Sequence, residues 1–153
     1  MASYYFDSSA LAKLYHSEAG SEAVDSIARS PGNRVVLSRL AVIEIFSVFA
    51  IKVRTGFLGH DDATLLRSQF VADLLARKFD VYSVGHFEFD LAERLVVRYA
   101  EEHRLRALDA IQLAVAISLR ETHLADFFVA ADKTLCQVAA LEGFRVLNPE
   151  SRT

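Results

Sequence analysis

The chain has 153 residues, 52% of them hydrophobic and 10% aromatic, the size and apolar content of one compact domain, expected over residues 1–150. Its longest apolar run, Leu40 to Val53, is interrupted by Glu44 and Lys52, so no segment reaches the roughly 18 to 20 unbroken apolar residues of a membrane span. A formal net charge of -3 argues against a nucleic-acid binder held by a generally basic surface, unless bound dications offset clustered acids.

The stretch Met1 to Phe6 has no basic region and runs into Asp7, so a signal peptide is not expected and the chain should stay where it is made. The single cysteine, Cys136, sits among Leu135, Val138 and Ala139. It reads as core packing, and a chain with no internal disulfide suits a reducing cytoplasm.

Aromatic-rich Ser3 to Phe6 reads as a strand ending at Asp7, with Ser8 and Ser9 opening a helix through Tyr15. A second helix is expected from Ser21 to Ala28, stopped by Ser30-Pro31-Gly32-Asn33 ahead of the β-branched segment Val35-Val36-Leu37. Ser38 can cap a long helix to about Thr55, ended by Gly56. From His60 to about Lys78, Leu66, Phe70 and Leu74 recur at helical spacing, and a short strand follows from Asp80 to Val84. Phe87, Leu91, Leu95 and Tyr99 mark one face of the next helix, before Leu108 to Leu119 forms an almost wholly apolar one. Phe127-Phe128-Val129 is a buried-strand run leading to Asp132, Leu135 to Leu141 is the last helix, closed by Gly143, and Arg145-Val146-Leu147 is a final strand. Five short strands separated by helices indicate an α/β fold on a mostly parallel sheet, since parallel strands need crossover connections. In such folds the site lies beyond the carboxyl ends of the strands, where Asp7 and Asp132 fall.

Four acids stand at unusual places. Glu44 lies in the apolar segment Leu40 to Phe46, where burying an unpaired carboxylate costs on the order of several kcal/mol. Arg39 or Lys52 could pair with it, or it could follow a polar stripe of the helix. Asp109 falls in the first turn of a helix, where the macrodipole and free backbone N–H groups favour an anion, so a cap would explain it. Asp7 and Asp132 each precede a helix and could be N-caps as well. Together, however, the four sit where the chain could aim them at one point. Converging carboxylates raise one another's pKa unless a cation neutralises them. Hard oxygen donors suit Mg²⁺ or Mn²⁺, and one cysteine gives no zinc pattern. Such a set fits phosphodiester hydrolysis.

Four blocks occur in order between about Tyr4 and Leu147: Tyr5-Phe6-Asp7-Ser8-Ser9-Ala10-Leu11-Ala12-Lys13-Leu14-Tyr15, Ser38 with Glu44, Leu105-Arg106-Ala107-Leu108-Asp109-Ala110-Ile111-Gln112-Leu113-Ala114, and Phe128-Val129-Ala130-Ala131-Asp132-Lys133-Thr134-Leu135. Through them the sequence resembles the PIN-domain family, most closely the VapC-like toxins of bacterial and archaeal toxin–antitoxin pairs. The resemblance implies a three-layer α/β/α domain with a central, mostly parallel five-stranded sheet, and Mg²⁺- or Mn²⁺-dependent endoribonuclease activity. Asp7, Glu44 and Asp109 match the family's three most characteristic carboxylates, and Asp132 matches a more variable fourth; all four would bind metal directly or through water. A hydroxyl near the first acid often positions metal or substrate, which points to Ser9, although a helix cap would explain it equally. The family commonly has serine or threonine where this chain has Ala130, and many toxin members have histidine at Gln112. Homodimerisation and a cognate antitoxin, packed on helices with a segment in the acidic site, are also implied.

The expected reaction is in-line attack of water on phosphorus, leaving a 5′-phosphate and a 3′-hydroxyl, with no role for the RNA 2′-hydroxyl. His16, His60, His86, His103 and His123 lie on polar stretches and read as surface residues. Lys13, Arg39, Arg106 and Lys133 are candidate RNA contacts by closeness in sequence to the acids, or solvated charges. Tyr4 or Tyr5 could stack on a base, although strand alternation makes at least one of them core. Phe46, Phe49, Val53 and Phe57 give the Glu44 helix apolar surface for core and dimer. Two other readings stay open. One is a catalytically inactive PIN-like RNA- or protein-binding module; the other is a phosphatase or dehalogenase with Asp7 as nucleophile, which would want an acid where Ser9 stands. Nothing in the sequence names the RNA target.

Overall fold

The structure is a computed structural model and describes residues 1–151. Its elements run β1 (Ser3–Phe6), α1 (Ser8–Ala12), α2 (Ser21–Arg29), β2 (Arg34–Ser38), α3 (Arg39–Arg54), α4 (His60–Leu75), β3 (Asp80–Tyr82), α5 (His86–Tyr99), α6 (Ala107–Glu121), β4 (Phe127–Val129), α7 (Lys133–Leu141) and β5 (Arg145–Leu147). The five strands form one sheet in the order β3-β2-β1-β4-β5, and every pair is parallel, so the expected "mostly parallel" sheet is parallel throughout. Among the described residues no helix is long and apolar enough to cross a membrane.

Strand residues alternate between two cores, because successive side chains leave a strand on opposite faces. Tyr5, Val36 and Phe128 pack with α5, α6 and α7 through Leu95, Leu113 and Leu135. Phe6, Val35, Leu37 and Val129 pack on the other face with Leu11, Val24, Ile45, Phe49 and Phe70. A sheet covered on both faces needs apolar residues in both registers, which is why the strands read as unbroken apolar runs. Neighbouring strands are held in register by stacked rings, Tyr4 on Phe127 with centroids 4.7 Å apart and Tyr5 on Phe128 at 5.6 Å.

The chain leaves β1 toward β2 and β3, then returns to β4 on the other side. The strand order therefore reverses between β1 and β4, whose carboxyl ends are the usual place for a site in a sheet of this kind. Two elements are shorter than the periodicity indicates. After Ala12 the backbone continues in i to i−3 hydrogen bonds, Lys13 N to Ala10 O, Leu14 N to Leu11 O and Tyr15 N to Ala12 O. The α4 helix stops at Leu75, where the chain turns through Arg77 at a φ of 54°.

An ion cluster around one buried lysine ties the α1 tail to distant parts of the chain. Lys13 is only 4% exposed, and its Nζ donates to Glu18 Oε1 at 3.1 Å, Ala19 O at 2.8 Å and Glu150 Oε1 at 2.6 Å. Lys52 of α3 reaches the second oxygen of Glu18 at 2.7 Å and lies 2.9 Å from His16 Nδ1. Gly20, at a φ of 85°, lets Pro149 close over this corner, since a Cβ there would meet the Pro149 carbonyl oxygen at 2.8 Å.

Candidate active site

Asp7 is the residue at which β1 becomes α1. Its N–H donates to Val129 O at 3.1 Å, extending the β1–β4 ladder by one step, while its side chain caps α1 by accepting Ala10 N–H at 2.9 Å. Ser9 Oγ donates to the same Asp7 Oδ1 at 2.6 Å and accepts Ala131 N–H at 3.0 Å. With one proton and one lone pair so committed, Ser9 bridges the end of β1 to the turn after β4. It is at once part of the helix start and the hydroxyl beside the first acid.

Burial is the main force on Asp7, which is 5% exposed. Desolvation pushes its carboxyl up to about 7; the bonds from Ser9 and Ala10 pull down, and the charges of Glu44 and Asp109 push up again. Glu44, one and a half turns into α3, is half-buried, and its pKa is raised chiefly by desolvation. Hydrogen bonds from Gln112 and Ser8 act against the rise, as does the charge of Arg106, while Asp109 adds to it. The partner anticipated for Glu44 is corrected here. It is neither Arg39 nor Lys52 but Gln112, whose Nε2 donates to Glu44 Oε1 at 2.6 Å.

Asp109, third residue of α6, accepts Arg106 Nε at 3.1 Å and Arg106 N–H at 3.4 Å on one oxygen. Asp132 caps α7 by accepting Leu135 N–H at 2.8 Å. Asp7, Asp109 and Asp132 thus each also have the local structural job that their sequence positions allowed, whereas Glu44 is held from a distant helix. Asp7, Glu44 and Asp109 lie within electrostatic reach of one another. Asp132 joins through common neighbours, since Arg106 feels Asp109, Asp132 and Glu44, and Cys136 feels both Asp7 and Asp132. Among the described residues, however, no three His, Cys, Asp or Glu side chains form a closed metal-ligand group. Mutual repulsion gives each carboxylate reason to turn to its own nearby donor.

The four acids nevertheless fit a hard dication by donor chemistry. All offer carboxylate oxygens, and the most buried of them, Asp7, is surrounded by like charge with no cation bonded to it. Of the cations expected at the substrate, Arg106, Arg39 and Lys133 are exposed. Lys13 is not, and the expectation for it is corrected: it is buried, and its charge is spent on the partly exposed Glu18 and Glu150. Tyr5 is wholly buried and so is core, not a base-stacking platform. Phe49 is likewise core, Phe46 packs against that core, and Phe57 follows α3 rather than lying on it.

Two neighbours of the site carry more than sequence reasoning gave them. Gln112 is 2% exposed and bonded at both ends of its amide; a lone amide within the apolar run Ala110 to Ile117 was the available signal. Cys136 is half-buried, with Sγ donating to Ala130 O at 3.2 Å and its thiol pushed up to about 11, chiefly by burial. Ala130 itself is wholly enclosed.

Residues 4–141 match a family model described as PIN domain. Among solved structures the chain is similar to VapC20 of Mycobacterium tuberculosis, described as a sarcin–ricin loop cleaving toxin, at 22% identity over 98% of this chain and 99% of that one, with a TM-score of 0.65. It is similar to FitAcB from Neisseria gonorrhoeae at 16% identity, covering 95% and 97% of the two chains, with a TM-score of 0.67. A toxin–antitoxin complex from Klebsiella pneumoniae matches at 18% identity over 95% and 97%, with a TM-score of 0.55. No curated protein matches the sequence significantly.

Proposed function

The chain belongs to the PIN domain family, and on that premise we propose that it is a metal-dependent endoribonuclease and the toxin of a toxin–antitoxin pair. The observation that carries the reading is Asp7: a buried carboxylate at the carboxyl end of the central strand, next to Glu44 and Asp109, with its charge left uncompensated. Asp7, Glu44, Asp109 and Asp132 are the residues that would hold Mg²⁺ or Mn²⁺. When bound, such a cation supplies a water acidic enough to attack near neutral pH and positive charge for the phosphate in flight.

The chain's own residues do the rest. Ser9 holds Asp7 against the β4 turn, at the residue before the fourth acid. Arg106 lies over Asp109 and faces the acids, while Arg39 and Lys133 stand exposed at the starts of α3 and α7. These three can take the phosphates flanking the scissile one. Attack by water leaves a 5′-phosphate and a 3′-hydroxyl.

Purified protein is expected to cut total RNA with Mg²⁺ or Mn²⁺, to stop with EDTA, and to lose cutting in Asp109→Asn. Cleavage in excess EDTA, or products ending in a 2′,3′-cyclic phosphate, would refute the mechanism. A second reading, a PIN-like binding module without catalysis, is favoured by the open spacing of the acids. Folded, inhibitor-free protein that leaves RNA intact with either metal would establish it.

The partners follow the same reading. A toxin–antitoxin complex stands among the structural neighbours, and this chain leaves Phe87, Phe89 and Val97 of α5 and Leu108 of α6 half-exposed or more. Apolar surface of that kind suits coverage by a second copy or an antitoxin helix. Light scattering at micromolar concentration is expected to give twice the mass of the 17.0 kDa chain, and a monomeric mass would remove the homodimer.

A further inference from the structure

Gln112 links four elements at one buried point. Its Oε1 accepts from the Tyr5 hydroxyl of β1 and from Ser38 Oγ, at 2.9 Å, at the β2–α3 junction. Its Nε2 donates to Glu44 of α3 at 2.6 Å. The direction of this relay is set at its far ends. Ser38 Oγ accepts Ala41 N–H at 3.1 Å as the cap of α3, so its single proton is free to point at Gln112. The Tyr5 hydroxyl is wholly buried and directs its one proton at the same Gln112 oxygen.

Two protons on one oxygen decide which way the amide faces. Reversed, it would turn its carbonyl oxygen on the Glu44 carboxylate and leave two buried hydroxyl protons without an acceptor. The nitrogen therefore faces Glu44. A residue that merely filled space between β1, β2 and α6 would need no donor on that side.

We infer that Gln112 is a positioning residue for the acid cluster, its amide fixed by Tyr5 and Ser38 so that it holds the Glu44 carboxylate in place beside Asp7 and Asp109. The inference deepens the nuclease reading and rests on it for its consequence, since partners behind metal ligands set ligand orientation and typically carry about 10- to 100-fold in metal affinity or activity.

The test uses Gln112→Met, of similar length but with no polar end, and Tyr5→Phe, which removes one of the two protons that fix the amide. By titration calorimetry with Mn²⁺, on proteins shown by circular dichroism to be folded, Gln112→Met is expected to bind about 10-fold more weakly or worse. Tyr5→Phe should weaken binding in the same direction by less. For RNA cleavage the loss should fall on kcat, with KM nearly unchanged. Wild-type Mn²⁺ affinity in folded Gln112→Met would overturn the inference.

A second measurement stands apart from metal and RNA and decides the point even if Gln112→Met does not fold. In ¹⁵N-labelled protein the Gln112 side-chain amide should exchange slowly and its resonance should shift in Glu44→Ala. An amide that exchanges freely, or that ignores Glu44→Ala, overturns the inference. Wild-type protein that neither binds Mn²⁺ nor cuts RNA would instead sink the nuclease reading, with the amide resonance still judging Gln112.

Discussion

Asp7→Asn is expected to abolish useful cleavage, by about 10²- to 10³-fold or more, and at the same time to make the metal-free protein more resistant to heat at pH 8. The pairing of these effects follows from where the carboxyl sits. Its folded pKa of about 7 lies above the ordinary 3.8. Below pH 4 the group is protonated in folded and unfolded chains alike. Between about pH 4 and 7 the unfolded chain releases the proton while the folded one retains it, so stability falls as pH rises. Above the folded pKa the penalty is complete, on the order of 4 kcal/mol.

Asparagine removes that penalty and keeps the cap, because its Oδ1 can still accept from Ala10 N–H and Ser9. Melting curves in EDTA at pH 5 and pH 8 check this. Wild type should melt lower at the higher pH and Asp7→Asn should lose most of that drop, with a residue left from Glu44, whose pKa is raised in the same direction. Excess Mg²⁺ or Mn²⁺ should restore wild type at pH 8 and do less for the variant. A variant that melts below wild type at pH 8 in EDTA would show that Asp7 is not an uncompensated anion.

Lys13→Ala is the converse case, stability lost with chemistry kept. The ammonium is buried, and although burial alone would lower its pKa, the hydrogen bonds it donates to Glu150 and Glu18 more than offset this and leave it raised. Removing it leaves two carboxylates facing a void, with water able to reach them because both are partly exposed. A cost of about 3 kcal/mol is expected, at the low end for a broken buried pair, and so a melting temperature lower by roughly 6 to 12 °C. Once the protein is folded, kcat and KM for RNA should be those of wild type. A raised KM with unchanged melting would return Lys13 to the substrate contacts.

Local signals carried most of the fold. The Ser38 cap, the acids at the ends of β1 and β4 and the apolar runs of the strands each depend on residues within a few positions, and each stands where the spacing puts it. Partnerships were less legible. Glu44 bonds Gln112, 68 positions away, rather than a basic residue on its own helix, and Lys13 is matched by Glu150, 137 positions away. Only the folded chain brings such pairs together, and a lysine one turn after Ser9 looks the same in sequence whether it faces RNA or the interior. The α1 helix read too long because apolar spacing continues through Tyr15 while the backbone has already tightened to a different hydrogen-bond step.

The order of strands across the sheet also has a temporal meaning. β1 lies in the middle, yet its neighbour β4 comes more than a hundred residues later, at Phe127–Val129. While the ribosome is still making that stretch, β1 can pair only with β2, and its other edge has nothing to bond to. The Ser9 bridge to Ala131, which joins the first acid to the fourth, cannot form in that interval. A growing chain therefore carries Asp7, Glu44 and Asp109 for some time without an assembled site, and the cell that makes it meets the finished acid cluster only after β4 has been released.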